Sequence, residues 1–266
     1  MSAALGNLET QLFAFAQLRK SETVRAGELT QALGITPTQE KELFSRLARR
    51  NLIARVRRGL YLVPQRLPPG GKWSPSEFLA LATLMKDRNA QYQICGPNAF
   101  YRYRWNEQVP NRVYAYNNQI SGERKIGPVA LTLIKVDSGR LGETDVFQTP
   151  DGTEAIYSSR TRSLVDAVYD WSRFGSLPQA YEWIRVELAG DEKSAPRIVR
   201  STLRYGNVGT IRRLGKLLEI EGVEESLLCK LERQISRSTA LIPWIPTFPK
   251  RGSVDRRWGV LFNEQA

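Results

Sequence analysis

The sequence predicts an α+β protein, an N-terminal winged helix-turn-helix followed by a larger mixed α/β C-terminal domain with a helical second half. Three observations carry that class. The first sixty or so residues read as helix, short helix, capped helix and hairpin. Short strand-like runs follow up to residue 158, and from 160 to 236 the apolar spacing turns helical. At 266 residues the chain exceeds one average domain. The expected boundaries are 1–66 for the winged helix, 67–75 for a linker, 76–240 for the C-terminal domain and 241–266 for an extended tail.

Leu8, Leu12, Phe13, Phe15 and Leu18 share one helical stripe, which predicts a first helix ending near Arg19 and Lys20. The segment "TVRAGELTQALG" offers a second, short helix with Leu29, Ala32 and Leu33 inward and Gly34 as its stop. A third helix opens with Thr36 as N-cap, Pro37 at the first helical position and Gln39 completing a capping box. Leu43, Phe44, Leu47 and Ala48 form its inner face. Thr38, Glu42, Ser45, Arg46 and Arg49 lie opposite, with Gln39 and Lys41 on the flanks. Next, "LIARV" and "LYLV" flank Arg57, Arg58 and Gly59, a hairpin whose glycine supplies the positive φ of the turn. A helix-turn-helix followed by such a hairpin is a winged helix.

The stretch "PQRLPPGGKWSP" is dense in Pro and Gly and reads as the linker. After it comes the helix "PSEFLALATLMKD", with Ser74 as its expected cap. The segments "QYQICG", "RVYAYNN", "ALTLIKV" and "EAIYSS" read as strands, and "GPNAFYRYRW" as a helical turn. Five helical segments follow: "TRSLVDAVYDWSRFG", "LPQAYEWIRVEL", "APRIVRSTLRYG", "VGTIRRLGKLLEIEG" and "EESLLCKLERQI". The tail holds Pro243, Pro246 and Pro249 and must be extended, yet Trp244, Phe248 and Trp258 give it reason to pack across the body.

Charge points toward a polyanion. Lys and Arg total 39 against 27 acids, a net +12. Residues 1–67 hold eleven basic and five acidic residues, so half of the excess falls in a quarter of the chain. The candidate DNA-binding residues are Thr36, Thr38, Gln39, Lys41, Ser45, Arg46 and Arg49 on the third helix, with Arg55, Arg57 and Arg58 on the wing. Glu42 disfavours phosphate at its own position but can accept from a cytosine amine. Arg197, Arg200, Arg204, Arg212, Arg213 and Lys216 recur at helical spacing and suggest a second basic surface. Phe100, Tyr101, Tyr103 and Trp105, interleaved with Arg102 and Arg104, have the composition of a stacking platform, though at least two of them are expected in the core.

Catalytic motifs are sparse. The chain has no histidine, which rules out Ser–His and Cys–His pairs. No phosphate-binding glycine loop occurs; "PPGGK" has neither the strand before it nor the hydroxyl after it. Asp166 and Asp170 sit one helical turn apart, but Arg160, Arg162 and Arg173 nearby favour ion pairing over a metal. Cys95 and Cys229 form no spaced pair and read as reduced, buried thiols of a cytoplasmic protein. No cofactor, metal or membrane span is expected, and no catalytic role.

The winged helix ending in "RRGLYLVP", the start "SPSEFLALA" and the helices "TRSLVDAVYDW" and "VGTIRRLGKLLE" together resemble the AbiEi family of antitoxins, over about Leu8 to Leu231. That resemblance implies a type IV toxin–antitoxin or abortive-infection regulator. Its N-terminal domain would bind inverted repeats in its own promoter as a transcriptional repressor, and its C-terminal domain would counteract a toxin of nucleotidyltransferase fold without a stable complex. Such a protein is a monomer or dimer in solution and pairs on DNA. Arg162 and Asp166 of "TRSLVDA" and Leu214–Gly215 of "RRLGKLLE" match family-like positions, where capping and packing explain them equally well. The alternative is a stand-alone regulator whose C-terminal domain senses a metabolite in a deep apolar pocket.

Overall fold

A computed structural model describes residues 5–68, 72–236 and 240–263. Residues 69–71 of the expected linker lie outside them. In chain order the elements begin with α1 (Asn7–Leu18), β1 (Thr23–Arg25), α2 (Glu28–Leu33), α3 (Pro37–Arg49), β2 (Ala54–Arg57), β3 (Leu60–Leu62) and α4 (Glu77–Asp87). The middle comprises β4 (Tyr92–Ile94), α5 (Pro97–Arg102), β5 (Val113–Asn117), β6 (Gly122–Ile126), β7 (Val129–Lys135), β8 (Thr144–Gln148) and β9 (Glu154–Ser158). Helices α6 (Arg160–Tyr169), α7 (Trp171–Phe174), α8 (Gln179–Gly190), α9 (Ser194–Tyr205), α10 (Val208–Ile220) and α11 (Glu225–Glu232) follow. The tail holds β10 (Ile242–Pro243), β11 (Ser253–Asp255) and β12 (Val260–Phe262).

Packing divides the chain into two units that interleave in sequence. The first comprises Met1–Tyr92, Asn111–Ser138 and Val146–Ala155; the second comprises Gln93–Pro110, Gly139–Asp145 and Ile156–Ala266.

In the first unit, α1, α2 and α3 close over Leu12, Phe13, Leu29, Leu43, Phe44 and Leu47, all buried. Strand β3 pairs antiparallel with both β1 and β2, giving a three-stranded sheet in the order β1-β3-β2. The Tyr61 ring of β3 stacks on Phe44 of α3 at 4.3 Å between centroids, which ties the wing to the helix before it. Strand β1 departs from the sequence reading, which took "TVR" as part of the second helix. Three residues cannot show alternation, and only pairing with β3 makes them a strand. In the same unit β7 pairs parallel with β5 and antiparallel with β6. Helix α4 is capped by Ser76, whose hydroxyl accepts from the Leu79 amide, and not by Ser74 as expected. Ser74 instead donates to the Pro75 carbonyl.

The second unit builds its core from Leu164, Val168, Tyr181, Ile184, Ile198, Leu214, Leu217 and Leu218. Strands β4 and β9 pair parallel through Ile94 and Tyr157. The tail packs as two of its three named aromatics required: Trp244 and Trp258 are fully buried, while Phe248 stays 38% exposed. Each buried indole removes on the order of 200 Å² from water, about 5 kcal/mol of gross hydrophobic stabilisation. Trp244 stacks on Tyr181, whose hydroxyl donates to the Trp244 carbonyl at 2.8 Å. Trp258 lies against Gly215 of α10, where an added Cβ would come within 2.1 Å of the indole. Gly215 is therefore a packing position.

Arg162 and Asp166 are both completely buried and joined by two hydrogen bonds of 2.9 and 3.0 Å, and Arg140 adds a third at 3.0 Å. The Arg162 guanidinium also lies 3.6 Å over the Tyr205 ring. A buried carboxylate needs such partners to remain charged, so this pair is structural. Asp170 pairs with Arg173 at 3.7 Å.

Candidate nucleic-acid interface

Helix α3 begins where its sequence requires. The Thr36 hydroxyl accepts from the Gln39 backbone amide at 3.2 Å, and the Gln39 side-chain Oε1 accepts from the Thr36 backbone amide at 2.8 Å. Those two side chains are engaged in capping. Thr38, Lys41, Glu42, Ser45 and Arg49 stand exposed along the outer face.

Two buried carboxylates fix this helix, and sequence reasoning missed both. Glu40 is 4% exposed and reaches back to the start of α2. It accepts from the amides of Gly27 at 2.8 Å, Leu29 at 3.0 Å and Thr30 at 3.3 Å. A carboxylate facing the free amides and positive dipole end of a helix is favourable, and here it sets the angle between the two helices of the motif. The available signal was an acid three and four positions before Leu43 and Phe44, on the apolar face, where it must find donors. Glu9 of α1 caps its own helix through the Gly6 amide at 3.1 Å and binds Arg46 and Arg50 at 2.9 and 2.8 Å. Burial raises the Glu9 carboxyl, but the bonds from Arg46, Gly6 and Arg50 outweigh it and hold the group below its ordinary value. Arg46 is thus anchored to α1, a correction to its reading as an uncommitted base-reading cation.

The wing turn runs through Arg58 and Gly59, the latter at φ +78°. A register shift lies between Arg55 and Arg57. Arg55 and Arg58 are exposed. Arg57 is not the uncommitted wing cation expected. Its Nε and Nη2 donate to Asp87 of α4 at 2.6 and 2.7 Å, and its Nη1 donates to the Arg58 carbonyl at 2.8 Å. Arg57 holds the Asp87 carboxyl below its ordinary range, against the opposing effect of burial, with Arg25 and Arg88 adding to it.

Solvent exposure sharpens the charge asymmetry of this segment. Of the eleven Lys and Arg residues before position 68, nine are exposed and only Arg50 and Arg57 are half-buried. Of the five acids, Glu9 and Glu40 are buried, Glu22 and Glu28 half-buried, and Glu42 alone exposed. The surface is more cationic than the composition.

The second basic set does not form one surface. Arg212 and Arg213 are 5% and 7% exposed. Arg212 donates to the Ala240 carbonyl at 2.9 Å and Arg213 to that of Pro243 at 3.1 Å, so both hold the tail. Lys216 bridges Glu219 and Asp255, at 3.1 and 2.7 Å. Arg197 pairs with Asp191, and Arg200 and Arg204 stand exposed. The aromatic cluster is likewise structural. Phe100 and Trp105 pack on Trp183 with centroids at 4.9 and 5.8 Å, and the Tyr103 hydroxyl bonds Asp145 and the Ser158 carbonyl. Tyr101 alone of the four is exposed.

Cys95 is buried as expected, whereas Cys229 is half-buried and bonds Glu225, contrary to the burial expected of it. Glu225, Cys229 and Glu232 bring ligand atoms within 4.8 Å of one another. Arg257 already bonds both glutamates there, together with Glu219, so a protein cation occupies the position a metal would take. The cleft lined by Lys20, Glu22, Arg25, Lys86, Asp87 and Asp151 is polar, unlike the apolar pocket of a metabolite sensor. Among the described residues no helix is long and apolar enough to cross a membrane.

Residues 11–64, the segment from α1 through the wing, match a family model described as "Transcriptional regulator, AbiEi antitoxin". No curated protein matches the chain. Among solved structures, the chain is similar to the RV2827C protein from Mycobacterium tuberculosis. That likeness has a TM-score of 0.62 at 14% identity and covers 97% of this chain and 92% of that one. It speaks for a shared fold.

Proposed function

We propose that the chain is a DNA-binding antitoxin of a type IV toxin–antitoxin system. Its winged helix represses its own operon, and its C-terminal domain counteracts a nucleotidyltransferase-like toxin without a stable complex. One observation carries the DNA half: the N-terminal segment exposes nine cations and one acid around a helix-turn-helix and wing. The match of residues 11–64 to antitoxin regulators supports the pairing of that half with neutralisation. In this reading Thr38, Lys41, Ser45 and Arg49 face the major groove, and Arg55 and Arg58 take phosphates beside it. Thr36 and Gln39 orient the helix, while Arg46 and Arg57 brace the frame. Two copies pair on an inverted repeat.

The test uses the full chain carrying Arg55→Ala and Arg58→Ala. Fluorescence anisotropy on its own promoter DNA should show the log–log salt slope falling by about 1.8, roughly 0.9 per lost phosphate contact. The same variant should lose repression of a promoter fusion yet still rescue growth when co-expressed with the toxin encoded beside it. An unchanged salt slope sinks the DNA half; rescue absent from the wild type sinks the antitoxin half.

A further inference from the structure

The wing turn is tied to α4 through one of its arginines. The salt bridge from Arg57 to Asp87 fastens the last residue of α4 to the wing turn, and Arg57 in turn holds the Arg58 carbonyl. Arg25, at the end of β1, joins the same carboxylate at 3.4 Å. Asp87 is 5% exposed beneath these guanidiniums, whereas Arg25 and Arg57 are 54% and 37% exposed. Lys86 and Arg88, the two chain neighbours of Asp87, are both exposed. Lys86 lines one open cleft with Arg25, and Arg88 is close enough to act electrostatically on Asp87. Three cations, Arg57, Arg25 and Arg88, thus act on one covered carboxylate, and Arg58 and Lys86 adjoin Arg57 and Asp87 in the chain. The helix dipole accounts for a cation at the end of α4, but not for its fastening to the wing turn.

We propose that the phosphate-contacting surface continues from the wing onto the C-terminal turn of α4, where Lys86 and Arg88 contact the backbone of duplex DNA. The proposal rests on the DNA-binding reading above and extends it beyond residues 11–64, the segment that matches the regulator family. Its chemistry suits phosphate and not base edges. The ammonium and guanidinium sit on a helix end bound to the wing, where they add affinity without sequence preference. Of the nearby carboxylates, Asp87 is turned inward and Glu28 accepts from the Arg25 amide at 2.9 Å. Glu22 and Asp151 also line the cleft, and Asp151 is engaged by Ser76 and Thr149.

The experiment compares the full chain with two double variants, Lys86→Ala with Arg88→Ala and Arg55→Ala with Arg58→Ala. Each is titrated by anisotropy against its own promoter duplex and a labelled mixed-sequence duplex at several salt concentrations. The α4 variant should lower the log–log slope by about 1.8 on both duplexes, leaving the ratio of their affinities unchanged. If the wing variant loses slope and the α4 variant does not, the extension is wrong while the DNA-binding reading stands. If neither loses slope, both fall. Loss of affinity on promoter DNA alone would also overturn the proposal, because it would mark α4 as a base-reading element.

Discussion

Replacing Glu40 with alanine isolates the contact that sets the geometry of the helix-turn-helix. The carboxylate accepts from three backbone amides at the start of α2, and the bond to Leu29 is fully buried. An orphaned buried donor costs about 1–3 kcal/mol. The bonds to Gly27 and Thr30 are partly buried, so water can replace part of their loss; treated as one lost cap they add about 1 kcal/mol. The expected destabilisation is therefore about 3 kcal/mol. Glu40→Gln keeps an acceptor of similar shape and should cost about half as much. Urea unfolding followed by far-UV circular dichroism reads the change as a lower midpoint at unchanged slope. Anisotropy on promoter DNA, taken well below that midpoint, should show weaker binding for Glu40→Ala, because α2 no longer fixes α3. A midpoint corresponding to less than about 1 kcal/mol would mean that the three amides find other partners. The carboxylate would then not be what fixes the motif.

Two further outcomes follow from the geometry. Gly215→Ala should lose about 1–2 kcal/mol in urea unfolding, because the new Cβ would lie 2.1 Å from the Trp258 ring and overpacking outweighs the gain in helix propensity. Gly190→Ala, with nothing within 4 Å, is the control and should be neutral or slightly stabilising; equal behaviour of the two would refute the packing role. Asp151 responds to acid. Burial raises its pKa, but hydrogen bonds from Ser76, Thr149 and Thr153 overcome this and bring it down to about 2. Its folded pKa lies below the unfolded value of about 3.9, so its contribution is complete above about pH 4 and is lost as pH falls toward 2. The difference in melting temperature between wild type and Asp151→Asn should be constant above that range and shrink below it, and a difference independent of pH would refute the assignment.

What could be read in the sequence divides along a physical line. Thr36, Pro37 and Gln39 sit within four residues, so their cap is a local event and the structure reproduces it. The hairpin was equally local, because Gly59 and its flanking apolar runs specify it together. Arg46 and Arg57 were misjudged because their partners, Glu9 and Asp87, lie 37 and 30 residues away. Helical spacing says which way a guanidinium points, not what will meet it. Arg212 and Arg213 show this most plainly, since the tail crosses α10 and offers them the carbonyls of Ala240 and Pro243. Strand β6, "GERKI", escaped notice because four of its five residues are exposed, as suits a strand paired to β7.

Those same misjudged residues explain how so cationic a segment folds. Eleven cations in 67 residues repel one another, and acids spread evenly over the surface would relieve that repulsion at the cost of the outward field. The acids are instead drawn inward. Glu40 compensates backbone amides, and Glu9 of α1 collects Arg46 and Arg50. Asp87, from beyond the wing, does the same for Arg57 and Arg25. Each buried acid neutralises charge where helices and strands must pack, leaving Lys41, Arg49, Arg55 and Arg58 at the surface with Glu42 as the one exposed acid of the segment. A module built only for stability gains nothing from that division, because exposed ion pairs contribute little and like charges left outside oppose folding. The division is useful when a polyanion arrives to take the remaining cations. Removing an inner acid should therefore damage DNA binding even as it raises net positive charge, the opposite of what charge alone dictates.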